Sequence, residues 1–206
     1  KIFQISNSVV PGVHDAYFFD NGKRVLMRYV DPVKNTVVGL IATVPSINQE
    51  IEASSLENVE YLTSQVNSLA INESKTEVSY VVTTTNGSAV YTLQGTKKPE
   101  LVTSSPFKDW DVSYGGNTLY ITTKPSAYVE GATLTLPFFE GVVVEKTGLM
   151  SLPSSSGVIL NSMWGKKGLV TFLSDSGNVK GLSFSTLASK CALSKRSLFI
   201  CGVPRT

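Results

Sequence analysis

A strand-like run, a tight polar turn and a second strand-like run recur along this chain. The copies are HDAYFFDNGKRVLMRYVD from His14, VNSLAINESKTEVSYVVTTT from Val66, DWDVSYGGNTLYITTKPS from Asp109, VILNSMWGKKGLVTFLSDSGN from Val158 and CALSKRSLFICGVP from Cys191. With Gly22, Glu73, Gly116, Lys166 and Lys195 as turn centres, the steps are roughly 51, 43, 50 and 29 residues, near the roughly 40 to 50 of a propeller blade. Segments 77–85, 118–123 and 169–173 are rich in Val, Ile, Thr, Tyr and Phe and are bounded by Gly, Asn, Asp, Ser and Pro, which is strand composition with turn punctuation. In 16–20 and 24–30 the apolar runs are nearly continuous, as in strands covered on both faces. Asn21-Gly22, Asn86-Gly87, Gly115-Gly116-Asn117 and Ser176-Gly177-Asn178 tolerate positive φ and mark hairpins. No stretch sustains a 3.6-residue period for three turns. Residues 55–70 come nearest, but their β-branched and small polar content predicts a connection plus a strand.

A β-sandwich would place strands at 8 to 12 residue spacing with no longer repeat, whereas a propeller repeats four strands every 40 to 50 residues. The long period therefore selects an all-β chain, a β-propeller of about four to five blades of four-stranded antiparallel sheets. The expected blades are 13–62, 66–103, 107–145 and 158–187, with an incomplete unit at 190–206. Residues 1–5 read as the outer strand of an earlier blade or as a strand that closes the ring. Because open sheet edges are avoided in natural proteins, the expectation is a partial ring, a fragment of six to eight blades.

Composition bounds the function classes. Of 206 residues, 42% are hydrophobic and 17% charged, which excludes a disordered chain. A formal net charge of +2, with no block of five or six like charges, argues against a nucleic-acid arm. Apolar runs such as 37–44 fall short of the roughly 18 residues of a membrane span. The chain opens at Lys1 without Met and without an apolar signal core, so a membrane tether is expected only through a missing N-terminal segment.

Individual residues offer little catalytic chemistry. His14, followed by Asp15, lacks a serine partner, since no Gly-x-Ser-x-Gly elbow is present and 154–157 is a turn; it is expected to be structural or exposed. Asp109 and Asp111 flank Trp110, and strand alternation would put both carboxylates on one face, but no further acidic ligands accompany them. Asp175, Gly177 and Asn178 form a turn without the acids of a calcium loop, and Gly165-Lys166-Lys167-Gly168 lacks the spacing of a phosphate loop. No metal, cofactor or catalytic residue is expected.

Cys191 and Cys201 flank a short hairpin, so antiparallel pairing brings them close. Either a disulfide suited to an oxidising compartment or two buried thiols would satisfy this pattern. The first hairpin turns carry Lys23, Arg24, Lys75, Lys166, Lys167, Lys195 and Arg196, and equivalent turns of successive blades share a face. A basic rim for an anionic partner is the expectation. Aromatic residues are not interleaved with these lysines, which argues against a nucleic-acid platform.

The stretches NSVVPGVHDAYFFDNGKRVLMRYVD, SPFKDW with TLYITTKPSAYVEG, and KCALSKRSLFICGVP resemble the uncharacterised TolB-like or WD40-like β-propeller proteins of uncultivated bacteria. The resemblance covers nearly the whole chain. Its most specific pieces are 122–127 and 190–204; where such proteins often carry Trp two residues past the first Cys, Leu193 stands here. It implies a propeller exported, or tethered outside the membrane in an extracellular, cell-surface or periplasmic location, and it supplies no catalytic residues. The leading functional expectation is a non-enzymatic scaffold that binds a protein or an anionic surface polymer. The alternatives are the accessory propeller of a hydrolase or peptidase whose catalytic domain lies outside this chain, and a propeller glycosidase or lyase.

Overall fold

Each strand of this chain pairs with its neighbour in sequence, so the hairpin signals translate directly into meanders. The computed structural model describes residues 9–45, 55–62, 65–95, 97–136, 141–194 and 198–204, and of 141–146 the backbone alone. The expected strand at 1–5 lies outside them. The first sheet comprises β1 (Val13–Phe19), β2 (Arg24–Asp31), β3 (Thr36–Thr43) and β4 (Glu57–Tyr61). The second comprises β5 (Val66–Ile71), β6 (Glu77–Thr84), β7 (Gly87–Gln94) and β8 (Glu100–Ser105). The third holds β9 (Trp110–Gly115), β10 (Thr118–Thr123), β11 (Glu130–Leu136) and β12 (Gly141–Thr147), and the fourth β13 (Met150–Pro153), β14 (Ile159–Gly165), β15 (Gly168–Asp175) and β16 (Asn178–Gly181). All four are antiparallel meanders in sequence order. A 3₁₀ turn at Ala188–Lys190 leads into the hairpin of β17 (Cys191–Leu193) and β18 (Phe199–Cys201).

Two elements depart from the sequence reading. Segment 55–70, read as a connection plus one strand, supplies two strands, because β4 is an exposed edge strand whose sequence, ENVEY, is polar enough to resemble a loop. The fourth sheet begins at Met150, ahead of the expected start at 158. β13 has four residues and ends in Pro153, so it lacks both the length and the composition that announce a strand.

The chain divides into two compact units, one with the first and second sheets and one with the third, the fourth and the terminal hairpin. In the first unit the sheets pack through an apolar layer: Phe19, Leu26 and Ile41 meet Val66, Leu69, Val78, Tyr80, Val82 and Leu93. Tyr80 and Tyr91 stack with ring centroids 5.4 Å apart, and burial followed by the neighbouring Tyr91 pushes the Tyr80 phenol up to about 12. A polar bridge crosses the same two sheets, where Arg28 pairs with Asp15 and donates to the Asn67 carbonyl.

The second unit is held differently. Asn161 is fully buried and donates to the Ile159 carbonyl at 3.0 Å and to Ser174 Oγ at 2.9 Å, while its Oδ1 accepts from Ser151 Oγ at 2.7 Å. Ser151 lies 2.8 Å from Thr133 Oγ1, which lies 3.0 Å from Thr122 Oγ1. One chain of hydroxyl and amide groups thus runs from β10 and β11 to β13, β14 and β15. A second ties the hairpin: Thr171 Oγ1 accepts from Thr186 N at 2.8 Å and donates to Thr186 O at 2.8 Å, and Thr186 Oγ1 donates to the Gly202 carbonyl at 2.6 Å. Buried polar groups are tolerable because each has its partners.

Candidate functional site

In a meander, successive turns alternate between the two ends of a sheet. The first-to-second turns lie at residues 20–23, 72–76, 116–117 and 154–158, and the second-to-third turns at 32–35, 85–86, 124–129 and 166–167. This alternation assigns the residues of the basic rim expected from sequence to different kinds of turn. Because β13 opens the fourth sheet, Lys166 and Lys167 occupy its second-to-third turn, the opposite end from the turn equivalent to those of Lys23 and Lys75. A slip of one strand moves a turn from one end of a sheet to the other. Lys195 and Arg196 lie outside the described residues.

At the first-to-second end, the turns of the first two sheets do meet, since Asp20 N donates to the Lys75 carbonyl at 2.8 Å. Arg24 is not a free rim cation: its guanidinium lies over the Phe19 ring, 5.1 Å from the centroid. Lys23 and Lys75 are exposed, but Asp20 and Glu73 stand in the same turns. The two carboxylates match the two ammonium groups, so these turns carry no net positive charge.

The remaining singled-out residues take separate places. His14 is exposed at a β-bulge of β1, where the register jumps between Val13 and Asp15; Asn67 occupies the matching bulge of β5. Tyr17, half-buried beside them, has its phenol raised by burial first and by the Asp15 carboxylate second, with Arg28 opposing. Asp109 precedes β9 and is exposed, whereas Asp111 lies on the strand opposite Thr122. Among the described residues no group of three or more His, Cys, Asp or Glu side chains is placed to hold a metal. Cys191 faces Cys201 directly across β17 and β18, Cα atoms 4.0 Å apart, and a disulfide joins them. Gly202 N bonds Lys190 O and Ser194 N bonds Leu198 O, so the pair occupies a narrow, non-hydrogen-bonded site of the ladder, where Cα atoms come closest.

The second-to-third turns and the segments beside them carry a pattern that sequence reasoning missed. Val33 (91% exposed), Phe107 (66%), Tyr128 (95%), Val129 (65%) and Trp164 (65%) belong to second-to-third turns, to the strand end beside one, or to the connection leaving the second sheet. The first-to-second turns are mostly polar and charged, with Phe18 (51% exposed) at the strand end beside the first of them. Two of these apolar tips are held by the same device. Asp31 Oδ1 accepts the N–H groups of Val33 at 2.9 Å and Lys34 at 3.1 Å. Ser126 Oγ accepts those of Tyr128 at 3.2 Å and Val129 at 3.1 Å. A side-chain oxygen that accepts from residues two and three ahead fixes a turn and holds the residue two ahead in place. At Asp31 the Lys34 and Val33 N–H groups favour the anion and hold the carboxyl below its ordinary value. The signals were present in sequence as Asp31-Pro32-Val33-Lys34 and Ser126-Ala127-Tyr128-Val129.

Sequential four-stranded antiparallel meanders define this chain as a β-propeller. Solved structures agree. TolB from Acinetobacter baumannii superposes with a TM-score of 0.59 at 11% identity, over 90% of this chain and 47% of that one. The β-propeller domain of the Trilobed protease from Pyrococcus furiosus, which has an open velcro topology, gives 0.57 at 8% identity over 89% and 59%. The acylaminoacyl peptidase of Pyrococcus horikoshii gives 0.57 at 9% identity over 85% and 33%. The chain thus spans from a third to about three-fifths of the structures it matches. No family model and no curated protein sequence matches it. Among the described residues no helix is long and apolar enough to cross a membrane.

Proposed function

We propose that this chain is a non-enzymatic interaction propeller, exported from the cytoplasm, that binds a protein through second-to-third turns of its sheets. The observation that carries the reading is the paired turn device at Asp31 and Ser126, which holds Val33 and Tyr128 out in water. Ordering a turn to expose an apolar side chain costs solvation and conformational freedom, a cost that a partner offsets when it covers the side chain. The Cys191–Cys201 bridge supports an oxidising compartment. Photocrosslinkers at Val33 and Tyr128, introduced into protein expressed in its native cells, test the reading. Discrete adducts at these positions and none from a crosslinker at Asn21 are expected; equal labelling from both ends would refute it.

A second reading, the accessory propeller of a hydrolase or peptidase, is favoured by the likeness to propellers of the Trilobed protease and acylaminoacyl peptidase. It requires that the complete gene product hydrolyse peptide nitroanilides or acyl esters, whereas the scaffold reading requires that it does not.

A further inference from the structure

In the second unit the turn that carries Tyr128 and Val129 and the strand end that carries Trp164 meet the same connection. Ser126, which fixes the Tyr128 and Val129 turn, accepts a hydrogen bond through its carbonyl from Gly148 N at 2.6 Å. Gly148 in turn lies against Trp164: a Cβ on Gly148 would sit 3.4 Å from both Trp164 Cβ and Trp164 N. Gly148 also has φ +67, a conformation that glycine adopts without strain. The connection between β12 and β13 is therefore the seam that brings the 124–129 loop of the third sheet beside the 166–167 turn of the fourth. Lys166 and Lys167 are exposed at that turn, two and three residues past Trp164, and 158–174 contains no carboxylate. Glu130 is the acidic residue at the loop's far edge.

We propose that Tyr128, Val129 and Trp164, with Lys166 and Lys167, form the docking surface for an acidic segment of a partner protein that inserts one apolar side chain between the two rings. The proposal rests on the interaction-propeller reading and gives that reading a site. Trp and Tyr are the side chains that most often dominate binding when covered, because each buries a large rigid surface at little entropic cost. Two adjacent ammonium groups at the rim speed encounter with a carboxylate-bearing segment and orient it. Val129, exposed next to Tyr128, adds aliphatic surface to the same turn, which suits a Leu, Ile or Phe side chain better than the hydroxyl-covered face of a sugar polymer. The Ser126 turn and the Gly148 seam hold the loop before the partner arrives, which lowers the ordering cost of association.

Selection of a displayed decapeptide library against the whole chain tests this. The selected peptides should carry Asp or Glu flanking an aromatic or aliphatic residue. Their Kd, read by fluorescence polarisation, should rise at least tenfold with Trp164→Ala and with Tyr128→Ala. Trp164→Phe should retain most of the affinity, and the Lys166→Glu/Lys167→Glu pair should weaken binding several-fold while flattening its salt dependence. Thermal melts matching the parent chain show that each variant is folded. Peptides that bind Trp164→Ala and Tyr128→Ala as tightly as the parent would overturn the site and leave the interaction module standing. Selection of no peptide at all would overturn both. Heparin or alginate binding that is lost on lysine reversal but indifferent to Trp164→Ala, with no acidic bias among peptides, would make the surface a polyanion site and also overturn the proposal.

Discussion

Replacing Asn161 should unfold the second unit more readily than any exposed substitution, because its amide satisfies three groups at once in a site without water access. Asn161→Ala removes the donors to Ile159 O and Ser174 Oγ and the acceptor of Ser151 Oγ. Each lost bond is worth about 1 kcal/mol net, and a buried group left without a partner costs about 1 to 3 kcal/mol. The Ser151 and Ser174 hydroxyls can rotate, Ser151 keeps Thr133 within reach, and the Ile159 carbonyl keeps its ladder partner across the Ile159–Ser174 pair, so the loss is chiefly that of the three bonds themselves. The three bonds sum to about 3 kcal/mol, a large part of the about 5 to 15 kcal/mol available to a domain. Asn161→Asp sharpens the argument. The introduced carboxylate cannot donate to Ile159 O, and burial raises its pKa above the unfolded value of about 3.9. With the folded pKa raised, the variant is closest to the parent below about pH 4, where the carboxyl is protonated in both states. It falls behind as pH rises toward the folded pKa. Urea unfolding followed by Trp fluorescence at pH 3.5, 5 and 7 measures both effects. A loss under about 1 kcal/mol for Asn161→Ala, or an Asn161→Asp deficit independent of pH, would refute the claim that this network holds the third and fourth sheets together.

Gly87 has φ +143, and a Cβ there would lie 1.9 Å from Ser105 O and 2.7 Å from Pro106 Cα; Gly87→Ala should therefore cost at least about 2 kcal/mol. Gly22→Ala, at φ +80 with nothing within 4 Å, should cost only about 1 kcal/mol, and paired urea titrations compare the two. Cys201→Ser opens a loop with a sequence separation of 10, and the melting temperature should drop as for a loss of about 2 to 3 kcal/mol, with a reductant producing the same drop in the parent chain and none in the variant. Tyr80, with its phenol at about 12, leaves stability unaffected below about pH 10, the unfolded value; stability should then fall as pH rises from there toward 12, as read by alkaline melts, and Tyr80→Phe should remove that fall. The Asp31 turn, whose folded pKa is lowered, should be intact above the unfolded value of about 3.9 and loosen as pH falls through the folded value, visible as chemical-shift changes at the Val33 and Lys34 amides.

The sheets were legible because their signals are local. Asn21-Gly22 and Asn86-Gly87 announce tight turns, and both lie at the hairpins of described strands. What failed to show was whatever depended on counting strands. β13 is too short to register, and without it the Lys166-Lys167 turn was matched to the wrong end of its sheet. The hydroxyl network was hidden for another reason. Thr122, Thr133, Ser151 and Asn161 sit in strands at positions where Thr and Ser also serve as ordinary strand residues, so only the pairing of one sheet against the next shows that they face one another.

That pairing also explains why exposed apolar side chains are found in the turns. A strand buried on both faces has no freedom to change its side chains, since each fills a space set by neighbouring strands. In the second unit even the polar residues are committed, because Asn161 and Thr186 each satisfy groups on more than one segment. Variation in a partner surface is then confined to turns and connections, whose backbone is satisfied locally. Asp31 and Ser126 do this within their own turns, and Gly148 does it by bonding Ser126. Each leaves the neighbouring side chain free of any structural duty, and Tyr128 is therefore the residue where the fold loses least, and binding changes most, on substitution.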